Sequence, residues 1–150
     1  MFDSVSICLS KGLGTPSGSV LLGNTEFIRQ SRRARKVFGG GMRQVGFLAA
    51  AGIYALDNNI ERLTEDHKRA KQIGESLKKL NYVKAVLPVD TNIVIFDLKD
   101  GITAEQFIAK ASEKNIKVAA FGKQTIRMVT HLDFTDDMLQ RLSEALKTLF

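Results

Sequence analysis

Residues 10–18 read S-K-G-L-G-T-P-S-G, between the apolar runs "DSVSICLS" and "GSVLLGN". No other stretch restricts the possible folds so strongly. Glycine reaches backbone conformations closed to other residues and proline presets a turn, so this segment bends tightly or lets something approach its backbone. The flanking runs are short and rich in Val, Ile and Leu, which predicts two strands joined by that turn. Lys11 is the turn's one charged side chain. Two readings are open at this level: a surface hairpin loop with a solubilising lysine, or a turn cleared of side chains around an amine.

Downstream, Asn24 or Thr25 caps a helix predicted through Lys36. "FGGGMRQ" ends it, and an alanine-rich helix is predicted from Met42 to about Leu56. A third helix keeps Ile60, Leu63, His67, Ala70, Ile73, Leu77 and Leu80 on one face, with His67 as a packed residue. After Leu80 the texture changes. "VKAVL", "NIVIFDL", "IKVAA" and "TIRMV" are four strand candidates. Thr103 and Gln106 form a capping-box pattern that opens a helix to about Lys114, and Thr135 caps a last one. The order strand-strand-helix-strand-strand-helix predicts a small antiparallel sheet covered by helices. Residues 82–150 are expected to hold their own core. Two strands without further partners are marginal in water, so the opening hairpin reads as the end of a larger sheet. The chain is accordingly expected to be a C-terminal portion, cut inside a domain.

Composition narrows the function classes. A hydrophobic content of 44% and a charged content of 25% are ordinary for a globular protein. The formal charge of +6 comes mainly from Arg29, Arg32, Arg33, Arg35 and Lys36 in "RQSRRARK". No aromatic platform, zinc-finger spacing or helix-turn-helix pattern accompanies that run, so a basic helix face is expected rather than a nucleic-acid site. No apolar run approaches the roughly 18 residues needed to cross a bilayer. Cys8, the one cysteine, lies in an apolar strand-like run. It reads as a small buried residue in a reducing compartment, which makes the cytoplasm the expected location. No metal site is expected.

"DSVSICLSKGLGTPSGSVLLG", "ARKVFGGGMRQVGFLAAAG" and "IRMVTHLD", in that order, resemble the low-specificity L-threonine aldolases. These belong to the aspartate-aminotransferase-like class (fold type I) of pyridoxal-phosphate enzymes. The resemblance runs from about Asp3 to the C-terminus, and its strongest part is the linked pair S-K-G-L-G and G-G-G-M-R-Q. Family members usually carry Ala and Val where Thr15 and Ser17 stand. The resemblance implies an α/β fold. Residues 1–81 would be the end of the large cofactor-binding domain, with a lysine-bearing hairpin plus helices. Residues 82–150 would form a small α+β C-terminal domain with an antiparallel sheet.

The resemblance also implies roles. Lys11 would be the catalytic lysine that binds pyridoxal 5'-phosphate covalently, with Gly12 and Gly14 giving clearance. Lys36 and Arg43 would be the basic pair near the cofactor and subunit contact. Arg127 would grip the substrate carboxylate with its planar fork. His131, in "VTHLD", reads as a turn residue. The implied reaction cleaves a small β-hydroxy-α-amino acid to glycine and an aldehyde, in a homodimer or homotetramer when complete. In the family, the partner of the pyridine nitrogen, the ring-stacking histidine and the phosphate loop all precede the lysine strand. Residues 1–150 alone are therefore expected to be inactive. A truncated non-catalytic chain and a β-eliminating lyase are the alternatives.

Overall fold

The computed structural model describes residues 2–150, in a first compact unit ending at Glu61 and a second spanning Arg62–Phe150. In the first, β1 (Ser4–Cys8) pairs antiparallel with β2 (Ser19–Gly23), from Ser4 opposite Gly23 to Cys8 opposite Ser19. Helix α1 (Thr25–Val37) starts as expected: the Asn24 carboxamide oxygen accepts the Phe27 N–H at 2.9 Å. Glu26 in its first turn bonds Arg29 at 2.7 Å. Helix α2 (Gly46–Asn58) opens later than the predicted Met42. The cause is local. Gln44 has a φ of 52°, which a right-handed helix cannot contain.

Burial in this unit is sparse. Helix α1 buries no residue, and α2 buries Gly52 and Ala55. Val5 and Ile7 on β1, and Val20, Leu21 and Leu22 on β2, are all exposed. Cys8 corrects the expectation of a buried thiol: it is exposed, with its Sγ accepting from the Ser19 hydroxyl at 3.8 Å. An apolar run implies burial only where something covers the strand, and every residue of both strands is exposed.

The second unit contains α3 (Leu63–Leu77), β3 (Val83–Val86), β4 (Ile93–Leu98), α4 (Ala104–Glu113), β5 (Ala119–Ala120), β6 (Thr125–Val129) and α5 (Asp136–Leu146). Its sheet has the order β3-β4-β6-β5, every pair antiparallel. Alternation sets the faces: Val94, Phe96 and Leu98 of β4 and Ile126 and Met128 of β6 are buried. Phe107 of α4 meets Phe96 edge-on at 5.5 Å between ring centres. Both helix caps match the sequence. The Thr103 hydroxyl accepts from Gln106 N–H at 3.2 Å while the Gln106 side chain accepts from Thr103 N–H at 2.9 Å. Thr135 accepts from Met138 N–H at 3.3 Å.

Two expectations shift here. The strand candidate at 116–120 shrinks to two residues because Ile116 N–H is engaged by the Ala111 carbonyl at 2.9 Å, closing α4. On α3 the inward face is Asp66, Ala70, Ile73 and Leu77, with His67 only half-buried and Ile60 outside the helix and exposed. The Asp66 carboxylate is fully buried and takes two bonds from the Arg62 guanidinium, at 2.7 and 3.2 Å. Such a fork-to-fork pair is what permits a buried carboxylate.

Candidate functional site

Lys11 sits on a loop held from several directions. Gly14 N–H donates to the Lys11 carbonyl at 2.9 Å, closing a turn in which Gly14 takes a φ of 72°. Leu9 N–H donates to the Gly18 carbonyl at 3.0 Å, and the Leu9 carbonyl accepts from Thr15 N–H at 3.2 Å. Leu9, Leu13 and Thr15 are buried and anchor the loop. Gly52 of α2 makes room for that anchor, since a Cβ there would stand 3.2 Å from Leu9 Cδ1. Asn59, just past α2, donates its amide to the Leu13 carbonyl at 2.8 Å. The Lys11 side chain itself is exposed and has no hydrogen bond or ion pair among the described residues. Gly12 beside it is half-buried.

The triple glycine is a built helix end, not a slack linker. Gly39 N–H donates to Lys36 and Gly40 N–H to Arg35, at 3.2 and 2.8 Å. Gly39 supplies the left-handed φ of 78° that this double closure requires. The other two glycines give clearance. A Cβ on Gly40 would meet Arg35 Cγ at 2.8 Å and the Arg35 carbonyl at 3.2 Å. One on Gly41 would meet Lys36 Cδ at 3.0 Å and its Nζ at 3.2 Å. The Lys36 stem therefore lies along bare backbone, its ammonium beside Gly41. Arg43 follows on an exposed turn, and Gln44 beside it carries the one left-handed non-glycine φ described in this unit.

Arg127 lies in the second unit, on β6, opposite Ile95 of β4 and Ala119 of β5. Ile126 and Met128 point into the core, so Arg127 occupies the other face of the sheet. It is half-buried and has no ion pair or side-chain hydrogen bond among the described residues. Asp97, the acid on that face of β4, instead accepts from the Thr125 hydroxyl at 2.7 Å. His131 is a turn residue, as expected, with Nδ1 accepting the Asp133 N–H at 3.2 Å. Lys11, Lys36 and Arg43 share the first unit, and no hydrogen bond joins them among the described residues. Sequence reasoning missed Asn59 and Gln44. Asn59 acts on a residue 46 positions away, so no local pattern marks it. No described group of His, Cys, Asp and Glu could hold a metal, and no described helix is long and apolar enough to cross a membrane.

The chain matches the family model described as beta-eliminating lyase over residues 1–101. It is 42% identical over 136 residues to low-specificity L-threonine aldolase 1 of Arabidopsis thaliana, covering 89% of this chain and 38% of that protein. It is 44% identical over 142 residues to the low specificity L-threonine aldolase of Escherichia coli K12, covering 94% of this chain and 41% of that one. Among solved structures, a Listeria monocytogenes protein provisionally assigned as an L-allo-threonine aldolase superposes with a TM-score of 0.76 at 18% identity, covering 99% of this chain and 45% of that chain. Ornithine aminotransferase of Plasmodium yoelii superposes at 0.68 and 17% identity, covering 99% and 41%. The chain thus spans about two fifths of the length of the curated relatives it matches. With two thirds of its residues inside the family model, the chain belongs to the beta-eliminating lyase family.

Proposed function

We propose that residues 1–150 form part of a pyridoxal-phosphate-dependent aldolase that cleaves β-hydroxy-α-amino acids such as threonine to glycine and an aldehyde. The observation that carries this reading is Lys11: an exposed, unpaired amine on a braced glycine loop, in a chain whose relatives include threonine aldolases. The residues present fit the cofactor. An amine with open surroundings can condense with its aldehyde, and the cations Lys36 and Arg43 suit its phosphate charge. When bound, pyridoxal phosphate supplies an electron sink for the pair left at Cα as the Cα–Cβ bond breaks.

The chain's own residues do the rest by binding and orientation. Lys11 Nζ would hold the cofactor through its aldehyde carbon. Arg127, half-buried and without a carboxylate of its own, offers two parallel N–H donors to the substrate carboxylate. That grip fixes the rotation about the Cα bonds and so selects which one breaks. Further binding groups would come from segments that the longer relatives possess, in a homodimer or homotetramer. The family match favours a second reading, β-elimination, in which Lys11 and Arg127 keep their roles and a Cβ substituent departs.

Borohydride trapping of added pyridoxal phosphate, followed by peptide mapping, tests the lysine. The label should fall on Lys11 and vanish in Lys11→Ala, while the fold of residues 62–150 is unchanged. A label on another lysine would remove Lys11 from the site. Product analysis with a longer protein separates the two reactions: glycine and acetaldehyde from threonine support the aldolase, ammonia and a 2-oxo acid the eliminase. Residues 1–150 alone should turn over threonine hardly above free cofactor.

A further inference from the structure

In the second unit a pocket of about 440 Å³ opens where the α4–β5 loop, the end of β6 and α5 meet. Small-molecule sites occupy roughly 300–1,000 Å³. Its inner wall is apolar, with Met128 and Leu142 buried and Phe134 half-buried. Its rim carries Lys114, Lys117 and Arg141, none of them in an ion pair or side-chain hydrogen bond among the described residues. His131 adds a donor: Nδ1 accepts from Asp133 N–H, so the ring hydrogen is on Nε2. No Asp or Glu lines the pocket. The nearby Asp133, 86% exposed, is 3.8 Å from His131 Nδ1 and is not a lining residue.

The rim is fixed by the end of a helix. Asn115 takes a φ of 59°, with its N–H on Ser112 and that of Ile116 on Ala111, both at 2.9 Å. This is the same double closure that ends α1, here with asparagine in the glycine position. It sets the path of the chain from Lys114 to Lys117. Arg127 does not share the pocket. It is absent from the lining, and its neighbour Met128 turns to the opposite face of β6.

We propose that this pocket binds a small organic anion with an apolar body, a carboxylate on an aromatic or branched aliphatic frame. The body would lie against Met128, Leu142 and Phe134, and the carboxylate would face Arg141 and Lys117. Burial of the apolar body supplies attraction without regard to charge. The rim supplies the sign. Exposed cations each contribute little, so the dissociation constant should be on the order of 1 mM, with a preference for acid over neutral isostere that salt weakens.

The test uses the 150-residue chain, with the Met128 methyl resonance as reporter and 4-phenylbutyrate as probe. The acid should move that resonance saturably and bind about fivefold more tightly than 4-phenylbutanamide, a difference of about 1 kcal/mol. Acetate and inorganic phosphate, which lack the apolar body, should leave it unmoved. Arg141→Gln with Lys117→Gln, both exposed positions, should reduce the acid's advantage to near unity, whereas Arg127→Gln should leave the titration unchanged. Equal binding of acid and amide would overturn the proposal. So would saturation by phosphate, loss of the response in Arg127→Gln, or no movement of Met128.

Discussion

The side-chain amide of Asn59 donates to the carbonyl of Leu13 at 2.8 Å, so the end of α2 holds the loop that presents Lys11. Leu13 is buried, and its carbonyl accepts no other hydrogen bond among the described residues. Asn59→Ala should therefore cost the first unit about 1 kcal/mol, the usual net loss for such a bond. Hydrogen exchange at Gly14 and Thr15 should speed up about fivefold, as a local opening of that size implies. Unchanged protection at both amides would show that the loop does not depend on Asn59.

The three glycines after α1 should respond differently to alanine. At Gly39 the left-handed φ makes the change cost about 1 kcal/mol, measurable by denaturant unfolding. At Gly41 the obstacle is the flexible end of Lys36, so stability should change by less than about 0.5 kcal/mol. On the proposed reading, however, Gly41→Ala displaces the Lys36 ammonium and weakens cofactor binding. Cofactor titration beside unfolding would reveal the split, and equal effects at both glycines would refute it.

Arg127→Lys, in the longer protein, should raise KM for threonine about tenfold or more while cofactor affinity holds. An ammonium retains the charge but loses the two parallel donors. If cofactor affinity falls equally, Arg127 supports the fold rather than the substrate.

Tyr82 sets an alkaline limit on the second unit. Burial pushes its phenol above the ordinary value, and its hydroxyl donates to the Leu146 carbonyl at 2.7 Å. The folded state therefore favours the neutral form. Stability is fully present below the unfolded value of about 10 and falls as pH rises beyond it toward the higher folded value. Tyr82→Phe should lower stability at neutral pH by about 1 kcal/mol and flatten that alkaline fall. An unaltered profile above pH 10 would count against this assignment.

Legibility in the sequence followed the range of the interaction. Asn24, Thr103 and Thr135 act within three residues, and each was readable as a cap. Strand alternation in β4 and β6 was equally plain, because one face packs under helices. Cys8 was misread because alternation cannot say whether anything covers a strand. Asp66 was missed because a carboxylate on a helix reads as solvent-facing until Arg62 is placed over it. Gln44 carries no sequence mark, since its left-handed backbone is one that composition alone would assign to glycine or asparagine. For the lysine loop, S-K-G-L-G pointed to the amine, but the support from Gly52 and Asn59 lies far along the chain.

The double closure at the ends of α1 and α4 separates reagent from scaffold. In both, backbone bonds alone fix the turn, while the side chains of Lys36 and Lys117 enter none of them. Side chains at these two positions can accordingly be exchanged one at a time without refolding their neighbourhood. A lineage could retune which anion each loop attracts through single codon changes, leaving the helices that carry them untouched.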